Sequence, residues 1–245
     1  MIRKTVVITG GTTGIGFATA KYLTEHHYNV IITGRTEHTL NDALHKLGHH
    51  AKGYISDTSS LTAISELVHL IKQDVKQIDG LFINAGIFIA ASFEETSETI
   101  FNQTMDINFK GAFYTIQQFV PLLKNPSSVV LNTSVAVFKA FENTSVYTAS
   151  KAALEAIAKV LNIELAAKGI RLNTISPGVT QTPIQKKSGM TDEAILGLMA
   201  HLQETSPIGR VLQPEDIAPS VEFLLSDKSF ALRNERIIID GGTTL

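Results

Sequence analysis

Cysteine is absent from all 245 residues, which excludes a disulfide framework, a thiolate zinc site, an iron–sulfur cluster and a cysteine nucleophile. A surplus of positive charge is also missing: 21 Lys and Arg stand against 23 Asp and Glu, a formal net charge of −2. With no spare cations to release counterions, nucleic acid is not expected as a partner. No apolar run reaches the roughly 18 residues a membrane span requires, so no membrane partner is expected. The strand-like run Val6-Val7-Ile8 begins too early to leave room for a signal peptide, and Gly242-Thr243-Thr244-Leu245 carries no recognised address. Linkers, low-complexity tracts and internal repeats are lacking as well. The expectation is one cytoplasmic, enzyme-sized domain over 1–245, large enough to bury on the order of 70–75% of its unfolded surface without a metal or disulfide staple.

What is present is a rhythm. Short β-branched runs recur at Thr5–Ile8, Val30–Thr33, Gly53–Ile55, Gly80–Ile83, Ser128–Leu131, Arg171–Ile175 and Arg236–Ile239. Most read as continuous apolar strands, which suits a parallel sheet covered on both faces. Helical stretches fall between them, at 14–27, 37–47, 59–76, 97–123, 146–168 and 214–226. Alternation of this kind predicts an α/β fold, doubly wound in the Rossmann manner, with a seven-stranded and mainly parallel sheet. Residues 179–213 break the rhythm with Pro183, Pro207 and one weak helix, and read as a substrate lid.

Two clusters can carry chemistry. After the first strand comes Thr9-Gly10-Gly11-Thr12-Thr13-Gly14-Ile15-Gly16. Gly10 permits a sharp turn, while Gly14 and Gly16 let backbone approach a pyrophosphate at a helix N-terminus. Methyltransferases use similar loops, so this one does not by itself name a cofactor. The second cluster is Tyr147-Thr148-Ala149-Ser150-Lys151. Helical spacing puts Tyr147 and Lys151 on one face, and a nearby ammonium favours phenolate. An ordinary surface pair fits the same spacing, but Ser134 follows the fifth strand where the sheet's carboxyl edge opens. The eight histidines (His26, His27, His38, His45, His49, His50, His69 and His201) form no pair at a predicted site mouth, and no metal is expected.

Taken in order, these residues resemble the short-chain dehydrogenase/reductase family in its Rossmann form of about 250 residues. The likeness runs through Thr9–Gly16, Asp57, Asn84-Ala85-Gly86, Asn108, Ser134, Tyr147-xxx-Lys151, Pro177-Gly178 with Thr182, and Asp240-Gly241-Gly242. Two positions depart from the family pattern: Ile83 replaces a first asparagine, and Asn234 stands where glycine is usual, a turn that Asn tolerates at positive φ. The resemblance implies an NAD(P)(H)-dependent oxidoreductase interconverting a secondary alcohol and a ketone. Tyr147 would be the general acid/base, Lys151 would lower its pKa and bind the nicotinamide ribose, and Ser134 would hydrogen-bond the substrate oxygen. Asn108 would hold a relay water, or serve only as a kinking residue of its helix. Gly10, Thr12, Thr13, Gly14, Ile15, Gly16, Asn84, Ala85, Gly86, Pro177, Gly178 and Thr182 would line the cofactor channel, with Thr182, or another threonine of its loop, near the carboxamide. Asp57 would reach the adenine amino group, or else cap the helix near residue 59.

At the end of the second strand, Gly34 stands where NAD-dependent relatives carry an acid, and Arg35 follows, placed to pair with a 2′-phosphate. NADP(H) is therefore the preferred cofactor. Arg35 stacked on adenine would serve either cofactor, Thr13 supplies no second cation and Glu37 lies close by, so NAD(H) stays open. The candidate pocket residues Ile87, Phe88, Val135, Ala136, Phe141, Val179 and Ile184 are apolar, which predicts a neutral small-molecule carbonyl or alcohol; Lys186, Lys187 and Arg210 would change that by swinging inward. A broad apolar stripe over 146–168 exceeds one core-facing side, and with the resemblance it implies a homotetramer. A dinucleotide-binding regulator without turnover is the alternative from another class. Ser134, Tyr147, Lys151 and Asn108 together weigh against it, and a methyltransferase leaves Tyr147 and Lys151 unexplained.

Overall fold

A computed structural model describes residues 3–245. The strands β1 (Lys4–Ile8), β2 (Tyr28–Gly34), β3 (Ala51–Ile55), β4 (Ile78–Ile83), β5 (Leu123–Asn132), β6 (Ile170–Pro177) and β7 (Arg236–Ile239) form one seven-stranded sheet. Its order is β3-β2-β1-β4-β5-β6-β7, and every pairing is parallel. The apolar runs follow from burial on both faces, because side chains alternate along a strand. Val7, Ile31, Leu81, Val129 and Leu131 point into one core layer, against α3 (Leu61–Asp74), α5 (Gly111–Phe119) and α6 (Ser145–Glu164). Their neighbours Val6, Ile8, Ile32, Phe82 and Val130 point into the other, against α1 (Gly14–Glu25), α2 (Glu37–Leu47) and α9 (Pro214–Leu225). The result is a single doubly wound domain. Strand order reverses between β1 and β4, so a crevice opens at the carboxyl ends of these strands, where ligands bind in folds of this kind.

Three local features differ from the sequence expectation. The stretch 97–123 is not one helix: α4 (Glu98–Met105) passes into a π-helical turn, Asp106–Lys110, before α5 begins. The extra residue re-aims Asn108, whose buried carboxamide then bonds the loop after β4. Strand β5 starts at Leu123, five residues earlier than its apolar run, because Leu123 pairs with Ile78 across an irregularity in register. Between β6 and α9 there are two helices, α7 (Ile184–Lys187) and α8 (Asp192–Thr205), where one is read from sequence. No residue of α8 is fully buried. Asn234 adopts φ 58°, so the turn before β7 keeps its left-handed conformation. Among the described residues no helix is long and apolar enough to cross a membrane.

Candidate active site

The glycine loop closes against the loop after β4. The Asn84 amide donates to Thr9 O (3.0 Å) and Gly10 O (3.1 Å), and the Thr9 hydroxyl accepts from the backbone N–H groups of Asn84 (2.9 Å) and Ala85 (3.0 Å). Gly16 packs so tightly that a Cβ there would run into the Gly10 carbonyl and stand 2.5 Å from Asn84 Nδ2. Helix α1 starts at Gly14 with no side-chain cap from Thr13, whereas Ser60, Ser97 and Thr191 each cap their helices. The first-turn amides of Gly14, Ile15 and Gly16 thus face the crevice, a donor set that fits a pyrophosphate. Thr182 rests on the same turn, its Cβ 3.2 Å from where a Gly14 side chain would begin, and its hydroxyl accepts from Ile184 N (3.3 Å). Pro177 ends β6, and a Cβ on Gly178 would stand 2.9 Å from the Asp240 backbone, so this loop is pressed onto the end of β7.

Arg35 is exposed just past β2 and makes no ion pair among the described residues. Asp57 lies near enough to feel its charge. Its carboxyl is held below the usual value by hydrogen bonds from the Ser59 N–H and hydroxyl and by Arg35, which together outweigh burial, the largest single influence and one that raises it. The helix-cap reading of Asp57 does not hold. Ser60 caps α3 by accepting from Ala63 N (3.2 Å), while Asp57 closes the turn before it.

Tyr147 and Lys151 sit one turn apart on α6, facing Ser134 at the end of β5. Burial raises the Tyr147 phenol above its ordinary value, and the nearby Ser134 hydroxyl opposes that shift. Ser134 also accepts from Ala136 N (3.2 Å), opening a short helical turn, Val135–Val137. Burial lowers Lys151 from 10.5 to about 8. Its Nζ donates to Asn132 O (2.8 Å) and lies 5.8 Å from the centre of the Tyr147 ring. Asn108 is fully enclosed: Oδ1 accepts from Ile87 N (2.8 Å), and Nδ2 donates to Ile87 O (2.9 Å) and Ser150 Oγ (3.1 Å). Lys151 Nζ and Asn108 Oδ1 lie against the same side of Gly86.

Of the apolar candidates, Phe88 meets the Tyr147 ring edge-on at 5.1 Å. Val135 and Ala136 are buried beneath Ser134, and Ile87, Val179 and Ile184 are half-buried. Phe141 lies further out, lining a shallow cleft with Phe93 and Thr148. Two of the three lysines and arginines of the 179–213 segment are engaged at the surface: Lys186 pairs with Asp192 (3.1 Å), and Arg210 grips Asp216 with both nitrogens (2.6 and 2.7 Å). Lys187 is exposed and makes no ion pair among the described residues.

A family model described as enoyl-(acyl carrier protein) reductase matches residues 10–244. A solved structure described as a short-chain dehydrogenase/reductase, glucose/ribitol dehydrogenase, from Brucella melitensis superposes with a TM-score of 0.92 at 30% identity, covering 99% of this chain and 97% of that one. This chain belongs to the short-chain dehydrogenase/reductase family. Two further members are similar over nearly their whole length. An uncharacterized oxidoreductase, YxbG, of Bacillus subtilis is 33% identical over 98% of this chain and 90% of its own. A 3alpha-hydroxysteroid dehydrogenase of Mediterraneibacter gnavus is 33% identical over 97% of this chain and 96% of its own. As a short-chain dehydrogenase/reductase the protein is an oxidoreductase of small molecules that uses a nicotinamide dinucleotide. Sequence reasoning missed Asn132, whose carbonyl receives Lys151 and whose amide donates to Asn84 Oδ1 (2.9 Å), joining the glycine loop to the Tyr–Lys helix. The available signal was a polar residue closing an apolar strand.

Proposed function

We propose that this short-chain dehydrogenase/reductase interconverts a neutral, apolar secondary alcohol and its ketone, with Tyr147 as general acid/base. The observation that carries the reading is the placing of the Tyr147 side chain beside Ser134 and next to Lys151, whose Nζ lies 5.8 Å from the ring centre. A carbonyl oxygen placed between the two hydroxyls accepts a hydrogen bond from Ser134 and the proton from Tyr147 as charge develops on it. Bound nicotinamide dinucleotide supplies or takes the hydride. Lys151 binds its ribose and, once charged, stabilises the Tyr147 phenolate. Asn108 holds Ile87 in place and keeps a lone pair on the side of Lys151 for a relay water. Residues 179–213 act as the substrate lid, in keeping with an α8 that buries no residue fully.

NADP(H) is the cofactor favoured by this reading. Arg35 makes no ion pair among the described residues and is free to meet a 2′-phosphate, and Gly34 carries no acid to bind a ribose diol. A side chain there would require Thr12, whose Cγ2 would lie 2.5 Å from its Cβ, to shift. The substrate class is supported by the apolar walls, by the outward ion pairs of Lys186 and Arg210, and by a relative named for a hydroxysteroid. The cytoplasm is the proposed location and a homotetramer the proposed assembly, resting on the exposed apolar side chains of α6.

The test is a panel of neutral ketones, charged ketones and an α,β-unsaturated thioester, read by nicotinamide absorbance with NADPH and with NADH. Neutral ketones and NADPH should be preferred. Tyr147→Phe should lower turnover by about a hundredfold or more while leaving NADPH affinity within about twofold. Preference for the thioester, or a Tyr147→Phe enzyme that keeps its rate, refutes the mechanism; preference for NADH refutes the role of Arg35.

A further inference from the structure

We infer that Glu155, paired with Arg236, is a positioning residue that aims Ser134 and the substrate-binding turn behind it. The inference rests on the catalytic reading of Ser134 above. Glu155 lies on α6 one turn beyond Lys151 and two beyond Tyr147, with its side chain 12% exposed. Its Oε1 stands 3.2 Å from the Thr133 hydroxyl and 3.4 Å from the Ser176 hydroxyl, which are themselves 2.8 Å apart. The single Thr133 proton is shared with Ile175 O, 2.8 Å away, so Glu155 is one acceptor of a small hydroxyl network. Thr133 immediately precedes Ser134, and Ser176 immediately precedes Pro177-Gly178. The other carboxylate oxygen takes Arg236 from β7. The Arg236 guanidinium in turn lies over the Phe138 ring, 5.4 Å from its centre, and Phe138 follows the Val135–Val137 turn that Ser134 opens.

One carboxylate therefore ties the helix of Tyr147 and Lys151 to the carboxyl ends of β5 and β6, where the chain leaves the sheet for the site, and to the first residue of β7. Shielding a charge this far is a weak source of stability, since desolvation offsets much of the attraction. What it provides is direction. Hydroxyl and guanidinium bonds have directional geometry, and an apolar side chain at position 155 would fill the space without an acceptor for the Thr133 and Ser176 hydroxyls or a partner for Arg236. A small misplacement of the group that receives the substrate oxygen costs rate rather than affinity for the cofactor.

The experiment compares Glu155→Gln, which keeps the shape and removes the charge, with Arg236→Met, which leaves the two hydroxyl bonds and removes the tether to Phe138. Hydrogen–deuterium exchange followed by mass spectrometry should show amides of 135–139 exchanging about tenfold faster in both variants, with α6 and the glycine loop unchanged. Unchanged exchange at 135–139, or acceleration spread evenly over the chain, overturns the proposal. Reduction of benzil, a neutral aromatic diketone, by NADPH supplies the catalytic arm. Glu155→Gln should lower kcat about tenfold with little change in the KM for NADPH, and should have almost no further effect in a Ser134→Ala background. Equal losses in both backgrounds overturn the route through Ser134. A Ser134→Ala enzyme that keeps full turnover refutes the catalytic reading instead, and if the wild type does not reduce benzil the exchange comparison decides alone.

Discussion

Lys151 holds its proton less well in the folded protein than in the unfolded chain, because burial lowers it from 10.5 to about 8. The unfolded state therefore binds more protons, and the penalty is fully present below about pH 8 and fades as pH rises towards 10.5. Removing the ammonium removes that penalty. Lys151→Met should appear more stabilising near pH 7 than near pH 10, by about 2 kcal/mol, in urea unfolding followed by circular dichroism. An identical difference at both pH values would mean that Nζ is not desolvated as its position implies. A residue that costs stability where it stands and sits beside Tyr147 is the expected signature of a functional group. The spacing of Tyr147 and Lys151 was legible in the sequence because helical period alone decides it. The acceptor that holds Nζ, Asn132 O, was not, since it arrives from a strand nineteen residues away.

At the scale of the element, α6 is both scaffold and wall. Its buried residues recur at Lys151, Leu154, Ala158 and Asn162, the spacing of one helical face. Asn162 does for β6 what a neighbouring strand would do. Its Oδ1 accepts from Leu172 N (3.0 Å) and its Nδ2 donates to Leu172 O (2.8 Å), at a position before β7 has begun to pair. Asn162→Leu strands a buried strand N–H and should cost about 2–3 kcal/mol, visible as a lower denaturation midpoint. A loss under about 0.5 kcal/mol would show that the strand finds another partner. The π-turn in the preceding helical stretch makes the converse point: the apolar periodicity of 97–123 is that of a helix, and the extra residue follows from the need of buried Asn108 to reach Ile87.

For the whole molecule, α6 leaves two large apolar side chains in solvent beside the charged Lys159 and Glu164. Val160 is 51% and Ile163 77% exposed. The proposed homotetramer would cover both. Light scattering at micromolar concentration should give a tetramer for the wild type and a smaller species for the Val160→Glu, Ile163→Glu double variant. A monomeric wild type overturns the assembly, and an unchanged mass for the variant removes α6 from the interface.

Most strand positions, the parallel sheet and the order of the motifs were determined by the sequence alone, while the early start of β5 was not. Runs such as Val6-Val7-Ile8 must be buried on both faces, and the spacing of Gly10, Gly14 and Gly16 suits one kind of turn. Ser134, Tyr147 and Lys151 were legible through the ordered family motifs, since the helical spacing of Tyr147 and Lys151 by itself also fits a surface pair. Tertiary structure decided whatever depends on which strand ends lie side by side. It made Asp57 a turn residue rather than a cap. It also set Glu155 against Thr133, Ser176 and Arg236, partners up to 81 residues away. A buried polar group must find its hydrogen bonds among whatever the fold places around it, and that neighbourhood is written in no local pattern.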